Sequence, residues 1–139
     1  GGGYERVALA LMAAIAHDEP ARLVLNVRNR GAVECLGVDA VVEVPCLVDA
    51  GGPVPQLSRI SGGHERGLVQ QVKAAEELTI EAALTGSRRR AVQAFATHPL
   101  VDSVGVARDL FDAYAAAFPQ LGAIFAAQPV PGSPSVAGH

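Results

Sequence analysis

Tryptophan is missing from this 139-residue chain, and aromatic residues make up only 4% of it. A core without large rings must be filled by Ala, Val and Leu on elements that approach closely, as Ala-rich helices do. Lysine is nearly missing too: Lys73 stands alone among eleven basic residues, and the net charge is −3. That leaves no broad basic field to hold a phosphate backbone and argues against nucleic acid as a partner. The one basic cluster, Ser87-Arg88-Arg89-Arg90, reads as the solvated start of a helix. Cysteine occurs only as Cys35 and Cys46, which belong to no CxxC and to no Cys/His set with metal-ligand spacing. Reduced thiols in a cytoplasmic protein are the plain expectation. The longest apolar run, VALALMAAIA at 7–16, falls short of the roughly 20 residues a spanning helix needs, and no basic signal peptide leads the chain. A soluble protein with no membrane contact is expected.

Catalytic fingerprints are lacking as well. There is no GxGxxG, Walker loop, HExxH or GxSxG, and no two histidines lie at ligand spacing. No complete active site is visible in the residues alone.

What is present is apolar. Half of the residues are hydrophobic, 18% are charged, and the mean hydropathy is +0.27, more than the surface of an average soluble protein requires. Some of that apolar surface should meet another chain or a missing domain. The length fits one domain.

Along the chain, residues 4–16 are helix formers, apolar nearly all round, and should make a helix buried on most sides that ends at His17-Asp18-Glu19-Pro20. RLVLNVRN (22–29) alternates, with Leu23, Leu25 and Val27 on one face and Val24, Asn26 and Arg28 on the other, the period of a strand. AVVEVPCLVDA (40–50) is a second strand, and Pro45 inside it predicts an edge position or a bulge at Pro45-Cys46. Asp49-Ala50-Gly51-Gly52 is turn chemistry, and PVPQL can return as a short antiparallel strand. After the loop SRISGG (58–63), a helix is predicted from His64 to Thr85, closed by Gly86, with Leu68, Val72, Ala75, Thr79 and Ala82 as its inner stripe. Ser87 caps a helix at 88–97, buried through Ala91, Val92 and Phe95. Ser103 caps another, running to Phe118 with Val106, Leu110, Tyr114 and Ala117 inward. The domain extends to residue 128, and the Pro/Gly/Ser-rich segment 129–139 reads as a flexible tail. Strands segregated from helices make the fold α+β, a small antiparallel sheet with several helices.

Few residues could carry chemistry. Asn26, Arg28, Asn29, Arg30 and Gly31 gather polar donors at a strand end, where they can bind a phosphate or sugar hydroxyl or only hydrogen-bond a turn. Gly1-Gly2-Gly3 before Tyr4 can let backbone approach a ligand, or can be a hinge or a cloning scar. Cys46 reads as a small buried hydrophobe, His64 and His98 as caps or surface residues. Glu43 either faces solvent or is buried with a partner.

Five segments in order, GGGYERVALALMAAI, LVLNVRNRGAV, DAVVEVPCLVDAGG, GLVQQVKAAEELTIEAALTGSRRRAVQAFATHPLV and ARDLFDAY, resemble the C-terminal half of a family 4 glycoside hydrolase, most like the actinobacterial 6-phospho-β-glucosidases. That resemblance implies an NAD-dependent exception to two-carboxylate glycosidases. In this chemistry NAD+ takes hydride from C3 of the sugar, a base removes the acidified C2 proton, the aglycone leaves, water adds and hydride returns. A divalent metal, usually Mn2+, acts as Lewis acid. It further implies a fold like the C-terminal domain of lactate and malate dehydrogenases, closing the substrate pocket against an N-terminal Rossmann domain and contributing to a homo-oligomer. The family's Rossmann half, metal ligands and catalytic tyrosine map onto no residue here, so the chain alone should be inactive and bind neither NAD nor metal. The expected partner is a phosphorylated disaccharide or β-glucoside. Contact is expected at Arg28, Asn29, Arg30, Gly31, Gly2, Gly3 and Tyr4, with Asn26, Glu43 and Cys46 behind them. The alternative is a stand-alone interaction or oligomerisation module, or a sugar-phosphate binder, derived from that enzyme.

Overall fold

The computed structural model describes residues 3–126, so Gly1, Gly2 and the segment expected as a flexible tail lie outside the described residues. The chain divides after Gln70 into two compact units. The α+β expectation holds: α1 (Gly3–His17), β1 (Ala21–Arg28), β2 (Val41–Asp49), β3 (Gly52–Pro55), α2 (Gly63–Thr85), α3 (Arg88–Thr97), α4 (Val104–Ala117) and α5 (Pro119–Ala126) follow in that order. Helix α2 begins in the first unit and ends in the second.

In the first unit the three strands form an antiparallel sheet of order β1-β2-β3. The register from Ala21↔Val48 to Arg28↔Val41 puts Leu23, Leu25 and Val27 beside Cys46, Val44 and Val42 on one face. This is the alternation the sequence predicts, since successive strand residues point to opposite sides. Val42, Val44, Cys46 and Val48 are buried and form the core with Ala14, Ala32 and Val33. Asp18 ends α1 at φ 54, in the left-handed region, and its Oδ1 accepts a hydrogen bond from Ala50 N at 3.0 Å. The end of the helix is thereby pinned to the β2–β3 turn.

Two expectations fail here. Strand β2 is central rather than an edge, and its pairing runs through Pro45 without a bulge. The reason lies in the ladder to β3, which stops at the pair Cys46↔Pro55. The next pair would be Pro45 with Gln56. Gln56 N donates to Pro45 O at 2.8 Å, but proline has no N–H to return. The Ser58 hydroxyl donates to Gln56 O instead, at 3.1 Å, so the missing donor falls where pairing ends. Secondly, α1 is not buried on most sides: only Ala14 is, while Leu9 and Met12 are 66% and 65% exposed. Its all-round apolarity is left uncovered in this chain.

In the second unit α3 packs on α4 through Ala91, Val92, Ala107 and Phe111, three small side chains allowing close approach around one ring. Both predicted caps form: Ser87 Oγ accepts from Arg90 N and Ser103 Oγ from Val106 N. Gly86 takes φ 66 after α2, a conformation that suits glycine as a helix end. The inner stripe of α4 is set one residue on from the prediction. Ala107 and Phe111 are buried and Leu110 is half-buried, while Val106, Tyr114 and Ala117 are exposed. In α2, Ala75 and Ala82 are buried, whereas Leu68 and Thr79 of the predicted stripe are exposed. The last helix, α5, was unforeseen. It starts on Pro119, a residue suited to a first helical turn because its missing N–H is one the helix does not use. Its packing needs Gly122, where an added Cβ would lie 2.9 Å from Ala115 O.

Candidate functional site

The polar donors singled out in the sequence lie at the end of β1 and in the loop that leads to β2, residues 29–40. The structure separates their roles. Asn29 is fully buried and does not face outward. Its Oδ1 accepts from Val33 N at 2.7 Å. Its Nδ2 donates to Val33 O, Leu36 O and Gly37 O at 3.0, 3.1 and 3.0 Å. Its backbone closes the loop, N donating to Ala40 O and O accepting from Ala32 N, each at 2.8 Å. A side-chain amide has one acceptor and two donors to give, and here all are spent on the loop itself.

Around that bracket, Arg30 and Gly31 take φ 48 and φ 89, so the turn holds two consecutive left-handed residues, a conformation costly for arginine. The Arg30 side chain is exposed and has no ion-pair partner among the described residues. Arg28 is held on Asp39: its Nε donates to Oδ1 at 2.7 Å, and a terminal guanidinium nitrogen approaches the same oxygen. Both side chains are more than half exposed, so this pair can exchange for a ligand anion at little cost.

The three residues expected behind the contacts do not form one group. Asn26 and Glu43 are cross-strand partners on the solvent-facing side of the sheet. Cys46 points to the other side, 1% exposed in the core, with its thiol on Val44 O at 3.4 Å. Burial pushes that thiol's pKa up, only partly offset by a backbone hydrogen bond from Leu25. Cys46 is a core residue, inert where a thiolate would be needed. Tyr4 stands on the first turn of α1, 92% exposed. Gly3 opens the same helix, and a Cβ there would meet nothing within 4 Å.

Two cavities accompany these residues, one in each unit. In the first unit a cavity of about 540 Å³ lies between the loop and the start of α2, lined by Glu34, Cys35, Ser58, Arg59, Ser61 and Arg66 among others. Sequence reading missed this set. Ser-Arg-Ile-Ser-Gly-Gly before a helix reads only as a connection; two arginines seven apart about a Ser/Gly loop are the available signal. In the second unit a cavity of about 500 Å³ is lined mainly by Ala75, Ala82, Phe95, Phe111, Tyr114 and Phe125. His98, Glu76 and Thr79 are its polar members. Among the described residues no three His, Cys, Asp or Glu side chains gather where they could hold a metal ion, and no helix is long and apolar enough to cross a membrane.

Most of the chain is similar to known proteins. The family model for the family 4 glycosyl hydrolase C-terminal domain matches residues 1–101. A 6-phospho-β-glucosidase of Thermotoga maritima is 38% identical over 113 residues, 81% of this chain and 27% of that protein. A 6-phospho-α-glucosidase of Leptotrichia buccalis is 36% identical over 102 residues, 73% of this chain and 23% of that protein. Among solved structures, a 6-phospho-α-glucosidase from gut microorganisms, in complex with NAD and glucose 6-phosphate, superposes with TM-score 0.80 at 31% identity, over 87% of this chain and 27% of that one. The Thermotoga maritima 6-phospho-β-glucosidase with manganese, NAD+ and glucose 6-phosphate gives TM-score 0.75 at 32% identity, over 85% and 29%. The chain thus spans about a quarter of the length of the relatives it matches.

Proposed function

The chain belongs to the family 4 glycosyl hydrolases, whose C-terminal domain it matches, and from that premise we propose that it is the C-terminal part of a 6-phospho-β-glucosidase. The observation that carries this reading is the 38% identity to the Thermotoga maritima 6-phospho-β-glucosidase across four-fifths of the chain. The whole protein would then be a cytoplasmic hydrolase of phosphorylated β-glucosides, using NAD and a divalent metal such as Mn2+ in redox-assisted elimination. The described residues do not fit either group. They include no metal-binding cluster and no GxGxxG turn: Asp49-Ala50-Gly51-Gly52 leads into another strand, and Gly62-Gly63 at the start of α2 lacks that spacing. Both groups belong to an N-terminal Rossmann domain that this chain does not span, and turnover needs that domain.

Within this reading the first unit does two things. The turn Arg28-Asn29-Arg30-Gly31, with Gly3 and Tyr4, closes the phosphate end of the substrate pocket. Arg28 and Arg30 supply the charge there, and Asn29 holds the backbone that carries them. The uncovered side of α1, with Leu9 and Met12, packs against the Rossmann domain or a second subunit of a homo-oligomer; exposed apolar surface of this kind marks an interface.

The test is hydrolysis by the natural gene product, with NAD and Mn2+, of p-nitrophenyl β-glucoside 6-phosphate and of its α-anomer. Release from the β-anomer alone supports the reading. Release from the α-anomer alone sinks the β-specificity, and release from neither sinks the activity.

A further inference from the structure

We propose that the polar cavity between the β1–β2 loop and the start of α2 binds a small dianion of the phosphate class, held by Arg59 and Arg66 against a wall that Asn29 keeps in shape. The cavity, about 540 Å³, is in the size range of small-molecule sites and takes either free phosphate or a phosphorylated hexose. Its lining contains two guanidinium groups, the free hydroxyl of Ser61, the hydroxyl of Ser58 that already donates to Gln56 O, and one carboxylate, Glu34. The balance is positive and rich in donors.

Both arginines have capacity to spare. Arg28, Arg88 and Arg90 are each engaged by a carboxylate, of Asp39, Asp112 and Glu81. Neither Arg59 nor Arg66 is in any ion pair among the described residues. Arg66 gives one terminal nitrogen to Ile60 O at 3.1 Å. Its remaining donors, and all five of Arg59, are open to a ligand, and the planar fork of a guanidinium matches two oxygens of a phosphate at once. The positive end of α2 is not needed for this. The Glu65 carboxylate folds back onto Gly62 and would collide with a Cβ there, so the start of the helix already has its own anion.

The walls are fixed before any ligand arrives. Val33, Glu34 and Cys35 form one side, and Asn29 grips Val33 by both N–H and C=O. Ser58 N donates to Ala32 O at 2.7 Å, and Gln70 Nε2 donates to Cys35 O at 3.1 Å. Binding therefore orders little that is not ordered already, which favours affinity. The site does not depend on the catalytic reading above, because an oxyanion pocket here would act whether or not the chain takes part in turnover.

Isothermal titration of the full natural chain with inorganic phosphate, and separately with glucose 6-phosphate, tests it. The titrations are repeated on Arg59→Gln/Arg66→Gln and on Arg28→Gln/Arg30→Gln, each confirmed as folded by circular dichroism. The expected result is saturable phosphate binding with a component that the first pair weakens about tenfold or more and that persists in the second pair, whose side chains the reading above places at the substrate phosphate. With that pattern in place, tighter binding of glucose 6-phosphate than of phosphate by the Arg28→Gln/Arg30→Gln protein identifies a sugar ester as the ligand of this cavity, and equal or weaker binding identifies free phosphate. No saturable binding of phosphate overturns the proposal, and so does wild-type binding by the first pair. Loss following the second pair alone also overturns it, while supporting the phosphate role of the β1–β2 turn.

Discussion

Replacing Asn29 by alanine removes four side-chain hydrogen bonds at once, and the structure says which of them matter. Val33 is 5% exposed, so its N–H, now without Oδ1, is stranded away from water. An orphaned buried donor costs about 1–3 kcal/mol. The carbonyls of Leu36 and Gly37 lie in partly exposed surroundings and can turn to water, so they add little. The turn must also hold Arg30 at φ 48 without its bracket, worth about another 1 kcal/mol. The expected loss is about 2–4 kcal/mol, a large share of the roughly 5–15 kcal/mol that stabilises an ordinary domain. Urea unfolding followed by circular dichroism would show it as a lower midpoint, and hydrogen exchange would show faster exchange across 29–40. The Asn29→Asp variant sharpens the test. Its oxygen can still accept from Val33 N, but a carboxylate cannot donate to the three carbonyls, and burial disfavours its charged form. The folded-state pKa is therefore raised above the roughly 3.9 of a free aspartate. Since the unfolded chain then gives up its proton first, stability falls as pH rises above about 4. Asn29→Asp should be nearer wild type in acid than at pH 7. An Asn29→Ala protein that unfolds within about 0.5 kcal/mol of wild type would refute the bracket.

Arg28→Ala breaks only an exposed ion pair and should leave stability within about 0.5–1 kcal/mol. In the whole enzyme it should raise KM for the phosphorylated substrate about tenfold with a smaller change in kcat; unchanged steady-state kinetics would remove Arg28 from the phosphate contact. Because burial raises the Cys46 pKa, the unfolded chain ionises this thiol first as pH rises. Its contribution to stability is full below about pH 8.5 and declines above it. In the native protein, Ellman's reagent should label the half-buried Cys35 well before the buried Cys46; equal rates would contradict the burial. Ser87→Ala and Ser103→Ala each remove a cap that accepts from a first-turn N–H and should cost about 1 kcal/mol apiece in thermal unfolding.

The legible parts of the fold were those set by local chemistry. Alternation in RLVLNVRN placed β1 and its inner face, Asp-Ala-Gly-Gly placed the hairpin turn, and Ser87, Ser103 and Gly86 placed three helix ends. Misreadings arose where a neighbour decides. Pro45 looks like an edge residue until Gln56 and Ser58 are seen to end the β3 ladder beside it. The periodicity of α4 allows two adjacent stripes, and α3 selects Ala107 and Phe111. At the candidate site, the donor-rich turn was visible, but the burial of Asn29 was not, because nothing in Asn-Arg-Gly says which side chain turns inward. Arg59 and Arg66 were hidden for the opposite reason. They flank what reads as an ordinary connection, and only the loop packed across from them makes it one side of a cavity.

The scarcity of aromatic rings has a use at the bench. Of the six, Phe95, Phe111, Tyr114, Phe118 and Phe125 lie in the second unit, where Tyr114 stacks between Phe95 and Phe118 with centroids 5.9 Å from each. Tyr4, the sole ring of the first unit, stands almost free in water on α1. Near-ultraviolet dichroism, which needs a ring held in an asymmetric setting, should therefore follow the second unit almost alone. Far-ultraviolet dichroism follows both. The two traces, recorded on one unlabelled sample, would show whether the halves on either side of Gln70 melt together or one after the other.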